Sequence, residues 1–158
     1  MWRVGKKLIT MPMEQKRMYA EAYLYLGWAR ILKQLPFAKV APTLGVRTSE
    51  SPFEHDPAQD RLLGSISRAI QRMSRHTWWE SMCMVKAIAA MKMLERRGIS
   101  STLYMGTAKD SSGKMIAHAW LRSGPYYLTG YEEMAQFTVV GTFANSGKQK
   151  KHQDHRRG

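Results

Sequence analysis

The chain has 158 residues and a mass of 18.1 kDa, which fits one compact domain and leaves little room for two. Apolar residues make up 44% of the sequence, so it can bury a core and is not disordered throughout. A single cysteine excludes an internal disulfide and a cysteine-rich zinc site. The formal charge of +13 attracts polyanions or acidic peptides but carries no information about the fold.

The beginning of the chain shows no targeting signal. Residues 1–13 lack the apolar core and the cleavage site of a signal peptide. The most apolar run, residues 18–35, contains Glu21, Arg30 and Lys33 and therefore does not qualify as a membrane span. We expect a cytoplasmic protein without a membrane span, in a compartment that keeps the lone thiol reduced.

The first predicted element is a helix over residues 14–35, which Pro36 ends. The apolar stripe of this helix is broad, which predicts that the helix is buried in the core. Docking to a partner is the alternative. Residues 36–60 contain four prolines and read as a connector, with a short helical turn within 37–44. The apolar side chains at helical spacing in the first helix are Tyr19, Tyr23, Leu24, Trp28, Ile31, Leu32 and Leu35.

Two further helices are predicted before the pattern changes. One begins at Asp56 and Pro57, a cap followed by proline in the first turn. The other runs from about Glu80 to Arg97, where Gly98 is placed to end it. Their apolar faces are Leu62, Leu63, Ile66, Ile70 and Met73 in the first, and Cys83, Ala87, Ala90, Met91 and Leu94 in the second.

The segment after Gly98 changes from helical to strand periodicity. Strands are predicted over 101–107, 114–122, 126–129 and 137–143, the first two joined by a loop rich in turn-forming residues. This order predicts an α+β fold, with N-terminal helices followed by a Cys-bearing helix packed on a small antiparallel β-sheet. The lysine-rich tail over 144–158 is predicted to be disordered.

Two residues carry the chemistry that the sequence suggests. Cys83 lies near the start of the third helix, where the positive end of the helix dipole stabilises a thiolate. His118 lies in the middle of an apolar strand, where an unpaired imidazole is costly to bury. If the sheet packs on the helix with Cys83 facing His118, the pair has the arrangement of a nucleophile and its base. The alternatives are a buried apolar cysteine and a structural histidine.

The other histidines do not suggest a second site. His55 lies in the connector, His76 ends the second helix, and His152 and His155 lie in the tail. No histidine and acidic residues have the spacing of zinc ligands, and no glycine-rich phosphate loop occurs. We therefore expect neither a metal nor a cofactor.

The order of motifs in the second half resembles the leader peptidases of lasso-peptide biosynthesis. The motifs are Cys83 at a helix start, the segment 87–99 ending in Arg-Arg-Gly-Ile, the strand 103–106 and the Ala-His-Ala-Trp of 117–120. With similar features upstream, the likeness covers about residues 18–143. It implies a transglutaminase-like, papain-related cysteine protease core with a Cys-His-Asp triad. In that interpretation residues 1–143 form one domain, with a helical part over 14–75 and a catalytic core over 76–143.

The resemblance also implies a substrate and partners. Such proteins remove the leader from a ribosomally made lasso-peptide precursor, so that an ATP-dependent cyclase can close the macrolactam. The chain is similar to the stand-alone type, which works with a separate leader-recognition protein. Its partners would be the precursor, the leader-recognition protein and the cyclase, and we expect no nucleic acid.

The triad departs from the family pattern at its third member, because no aspartate follows about a dozen residues after His118. Thr129, a backbone carbonyl, Glu132 or Glu133 could orient the imidazole instead, and Asp110 is a poorer candidate at the far end of the strand. For the oxyanion we expect the backbone N–H of Cys83, with an indole N–H as a possible second donor. The indole candidates are Trp78 and Trp79.

Two other functions are compatible with the sequence. One is an acyltransferase on the same Cys-His scaffold, which passes the acyl group to an amine instead of to water. The other is a basic, non-enzymatic binding module, suggested by the charge of +13 and the lysine-rich tail. It ranks last because the chain has neither an RNA-binding motif nor a stripe of alternating basic and aromatic residues.

Overall fold

Four α-helices, three short 3-10 helices and five strands make up a computed structural model that describes residues 10–77 and 82–146. The strands form one antiparallel sheet in the order β1-β5-β2-β3-β4, which confirms the α+β class. The helices are α1 (Met13–Leu32), α2 (Phe37–Val40), α3 (Asp60–Ser74) and α4 (Cys83–Arg96). The strands are β1 (Val46–Arg47), β2 (Ser101–Lys109), β3 (Met115–Ser123), β4 (Tyr126–Thr129) and β5 (Thr138–Asn145).

Helix α4 is the centre of the molecule. It contacts α1 and α3 on one side and β2, β3 and β4 on the other. Because it lies between two layers, apolar residues are buried around most of its circumference rather than along one stripe. These residues are Val85, Ala87, Ile88, Ala89, Ala90, Met91, Met93 and Leu94. The helix that carries the thiol is therefore held rigidly from both sides.

Helix α1 buries a narrower face than its sequence predicts. Small residues such as Ala22 and Ala29 point into the core with Leu26, whereas Leu24 and Ile31 are 72% and 63% exposed. The close contact of α1 with α4 favours alanine at the interface, so the larger side chains lie outside it. At the end of α4, the Arg97 guanidinium donates to the Glu21 carboxylate of α1 at 2.6 Å and fixes the two helices together.

The connector between α2 and α3 is held to the sheet by a buried arginine. Arg122 on β3 is fully buried, and its guanidinium donates to the carbonyls of Ser51 and Gly124, both at 2.8 Å. It also donates to the Tyr104 hydroxyl at 2.9 Å. Burial and the hydrogen bond that Tyr104 donates to Glu50 raise the pKa of Tyr104 to about 12. This polar cluster covers the face of the sheet opposite α4.

The boundaries of several elements differ from the sequence predictions. Helix α1 ends at Leu32, three residues earlier than expected, and single turns follow to Leu35. The two-residue strand β1 in the connector was not predicted, because its pairing partner lies almost a hundred residues away in β5. That pairing, with the pairing of Asn145 to Ser101, continues β5 two residues into the predicted tail.

Two structural features of the described part of the chain bear on its surroundings. Of the helices within residues 10–77 and 82–146, none combines the length and the hydropathy that a bilayer crossing requires. In the same residues, His, Cys, Asp and Glu side chains do not gather in threes or more as metal ligands do.

Candidate active site

Cys83 is the first residue of α4. Met82 before it has an extended backbone and serves as the N-cap. The backbone N–H of Cys83 therefore belongs to the first turn, whose amides have no acceptor within the helix. The thiol is free and partly buried. A nucleophile at this position has N–H groups and the positive helix end beside it.

His118 lies in the middle of β3 and is 8% exposed. Its ring lies against Trp120, with ring centroids 5.8 Å apart, and against Phe137 at 5.0 Å. Side chains alternate along a strand, and Ala119 and Leu121 belong to the core cluster that includes α4. The imidazole therefore lies on the same face of β3 as Trp120, and its pairing with the Cys83 thiol stays a prediction.

The two residues nevertheless line common cavities at the edge of the sheet. Strand β4 pairs with β3 only from Leu121 to Ser123, so β3 has no β4 partner beside His118. A polar cavity of about 370 Å³ and an apolar cavity of about 270 Å³ are both lined by Cys83 and His118. No hydrogen bond joins the thiol to the ring among the described residues, and such bonds often tighten only when substrate binds.

The His118 ring is oriented by a backbone carbonyl. Its Nε2 lies 2.7 Å from the carbonyl oxygen of Gly130. A carbonyl can only accept, so Nε2 carries the proton and the neutral ring has its lone pair on Nδ1. This is the atom that a general base requires. Gly130 has φ +72°, and a Cβ there would lie 2.5 Å from the Ala119 carbonyl oxygen. Only glycine fits this turn without strain.

The side chains predicted as the third member occupy different places. Glu133 has a carboxylate oxygen 3.9 Å from Nδ1 of His118, and its side chain is 68% exposed. Glu132 lines the polar cavity. Thr129 lines it too, but its hydroxyl is buried and has no hydrogen-bond partner within the described residues. Asp110 caps the turn between β2 and β3, where hydrogen bonds from Ser112 and the backbone lower its pKa.

Replacing Thr129 by valine tests whether its hydroxyl orients His118. The hydroxyl is buried without a partner, so Thr129→Val is expected to leave the free energy of unfolding unchanged or to raise it by up to about 1 kcal/mol. Urea unfolding measures this, and any catalysed reaction that depends on His118 is expected to keep a rate within about threefold of the parent. Thr102→Val is the matched control, because the Thr102 hydroxyl bonds Ser51 at 2.7 Å and its loss is expected to destabilise. A tenfold loss of rate in Thr129→Val with unchanged stability would contradict the assignment to Gly130.

The polar cavity contains charged groups that the sequence analysis did not single out. Arg75 from the end of α3 and Lys86, one turn after Cys83, line it together with Glu132 and Glu133. The spacing of Lys86 three residues after Cys83 on a helix was a usable signal, because such residues share a face. The position of Arg75 depends on the packing of α3 beside β4, which no local pattern reveals.

The remaining predicted residues lie away from the site or outside the described chain. Trp78 and Trp79, the candidates for a second oxyanion donor, fall in the segment 78–81, which is outside the described residues. The same holds for His152 and His155. His55 pairs with Asp60 at 2.9 Å, and His76 is exposed just after α3. Neither lines the cavities that Cys83 and His118 share.

Comparison with known proteins agrees with this arrangement. The model of the transglutaminase-like superfamily matches residues 23–142, a range that contains Cys83, His118 and Gly130. A search of curated proteins and a search of solved structures found no match. The superfamily match covers far more than half of the chain and agrees with a helix bearing cysteine on an antiparallel sheet. The chain therefore belongs to the transglutaminase-like superfamily.

Proposed function

We propose that the protein is a cysteine peptidase that removes the leader from a ribosomally made lasso-peptide precursor, acting with a separate leader-recognition protein. Members of the transglutaminase-like superfamily are typically cysteine-dependent enzymes. The lasso-peptide assignment rests on the motif order around Cys83 and on the Ala-His-Ala-Trp of residues 117–120. The ATP-dependent cyclase would act on the new N-terminus.

The observation that carries the peptidase chemistry is the hydrogen bond between His118 and Gly130. Because Nε2 holds the proton in that bond, Nδ1 is the basic atom of the neutral ring, and both His118 and Cys83 border the same cavities. An adjacent base is the requirement for activating a thiol. Glu133, whose carboxylate oxygen lies 3.9 Å from Nδ1, also lines the polar cavity.

The reaction then proceeds in two half-reactions. Nδ1 of His118 accepts the thiol proton, and Sγ of Cys83 attacks the carbonyl carbon at the leader–core junction. The resulting oxyanion accepts a hydrogen bond from the backbone N–H of Cys83 at the start of α4. When the C–N bond breaks, His118 returns the proton to the amine of the core peptide. His118 then deprotonates water, which hydrolyses the thioester, releasing the leader carboxylate and the free thiol.

The proposal is tested by incubating the protein with a precursor and its leader-recognition protein and recording intact masses. We expect two fragments whose masses add up to the precursor plus one water. The protein alkylated with N-ethylmaleimide is the control, because its single cysteine confines the modification to Cys83. An intact precursor in the presence of the recognition protein contradicts the proposal.

The same assay distinguishes the acyltransferase. Glycine amide added at high concentration intercepts a thioester in either enzyme, so the ratio of products decides. A peptidase gives mostly the free leader acid, whereas an acyltransferase gives mostly the amide. A leader amide as the main product at low amine concentration favours the acyltransferase.

A further inference from the structure

The thiol of Cys83 lies between two cavities of opposite character. The polar cavity is bordered by Arg75, Lys86, Glu132 and Glu133. The apolar cavity is lined almost wholly by carbon-rich side chains from the end of α1, from α2, from the start of α4 and from β2, β3 and β5. A chain bound across Cys83 therefore meets apolar side chains on one side and charges on the other.

The apolar cavity opens to solvent among exposed apolar side chains. Several of its apolar side chains are exposed to solvent at the rim: Leu35, Phe37, Met82 and Val140, of which Val140 is 62% exposed. Covering such side chains removes apolar surface from water and stabilises a complex by about 25 cal/mol per Å². The exposed side chains surround the opening beside the nucleophile, so the surface is continuous with the proposed active site.

The size of the apolar cavity limits what it can hold. Its volume of about 270 Å³ lies just below the range of roughly 300–1,000 Å³ that accommodates a whole small-molecule ligand. One large aliphatic or aromatic side chain fits this space. Residues of helix α4 and of strands β2 and β3 line it. All three elements contribute residues to the core cluster, so the cavity exists before substrate binds.

We infer that the apolar cavity beside Cys83 is a specificity pocket that takes a large apolar side chain adjacent to the scissile carbonyl of the peptide substrate. This rests on the proposed peptidase function, because it assumes that Cys83 is the nucleophile. The charged cavity on the other side receives the polar part of the same peptide. The substrate class is thus a peptide with an apolar residue next to the cleaved bond.

Alkylation of the single cysteine tests the pocket without requiring a peptide substrate. The probes are iodoacetamide and N-benzyl-iodoacetamide, and glutathione provides the ratio of their intrinsic rates. We expect the ratio of the alkylation rate of the benzyl reagent to that of iodoacetamide to be about tenfold or more higher for Cys83 than for glutathione. Intact mass after timed quenching gives both rates.

Two neighbouring valines on β5 supply the matched variants. Val140→Asp places a charge at the rim of the pocket and is expected to abolish the preference for the benzyl reagent. Val139→Asp is the control, because Val139 is also exposed but does not line the pocket. Leu35→Ser, at another part of the rim, is expected to reduce the preference as well. Circular dichroism checks that each variant is folded.

The outcomes separate the inference from the function on which it rests. If both reagents react fast but without a preference for the benzyl reagent, the specificity pocket is contradicted. The same holds if Val139→Asp and Val140→Asp lose that preference equally. Neither result contradicts Cys83 as the nucleophile. If both reagents react with Cys83 more slowly than with glutathione, Cys83 is not a reactive thiol. That result contradicts the proposed peptidase function as well.

Discussion

Replacing Cys83 by alanine is expected to abolish the proposed removal of the leader, lowering kcat/KM by roughly 10⁴-fold or more. The reason is that the proposed reaction passes through a thioester on this sulfur, and the chain has no other cysteine to replace it. The measurement is the rate of appearance of the leader by mass spectrometry. Cys83 is only partly buried, so the variant is expected to keep the free energy of unfolding of the parent within about 1 kcal/mol, as measured by urea unfolding.

His118→Ala is expected to have an effect of the same size, and the double variant is expected to be no worse than either single one. Nucleophile and base act as a unit, so their losses are not additive. His76→Ala is the control, because His76 is exposed just after α3. If the fold-loss of kcat/KM in the double variant equals the product of the two single fold-losses, the two residues act independently. Cleavage by Cys83→Ala would show that the thiol is not the nucleophile.

The parts of the fold that the sequence predicted well are those that local patterns determine. Helix α4 ends close to Gly98, as its sequence predicts, and β4 spans the predicted residues 126–129. In both cases a change in the hydrophobic periodicity and a glycine lie within a few residues of the end of the element. The α+β class followed directly from the order of these elements.

The parts that the sequence did not predict depend on contacts between distant residues. Small side chains of α1 pack against α4, so Leu24 and Ile31 remain exposed although they belong to the predicted stripe. The alternation of side chains along β3 could be predicted from the sequence. The face of β3 that packs against α4 could not. The core contains Ala119 and Leu121, so His118 lies on the other face and reaches the cavities of Cys83 at the edge of the sheet.

The orienting group of His118 could be narrowed down but not assigned from the sequence. A backbone carbonyl was among the candidates, but no particular residue was named for it. The carbonyl belongs to Gly130, whose positive φ directs the chain back against β3. A side-chain search for an aspartate cannot find such a group, because every residue carries a carbonyl and only the tertiary fold selects one.

Replacing Arg122 by methionine is expected to lower the free energy of unfolding by about 3 kcal/mol. The guanidinium is fully buried and donates to the carbonyls of Ser51 and Gly124 and to the Tyr104 hydroxyl. Methionine fills much of the space but leaves these oxygens without their donor. Loss of the guanidinium also removes its contact with the Phe53 ring, whose centroid lies 3.8 Å from the guanidinium carbon.

The effect of Arg122→Met is measured by urea unfolding followed by circular dichroism, with Arg96→Met as the control. Arg96 is 62% exposed and pairs with Glu21 at 3.4 Å, so its loss is expected to cost less than about 0.5 kcal/mol. Equal midpoints for the two variants would contradict the view that the arginine holds the connector to the sheet. Arg122 contacts Tyr104, which stacks on Trp120, and Trp120 in turn stacks on His118. Loss of the arginine is therefore also expected to loosen the wall of aromatic rings against which the imidazole is held.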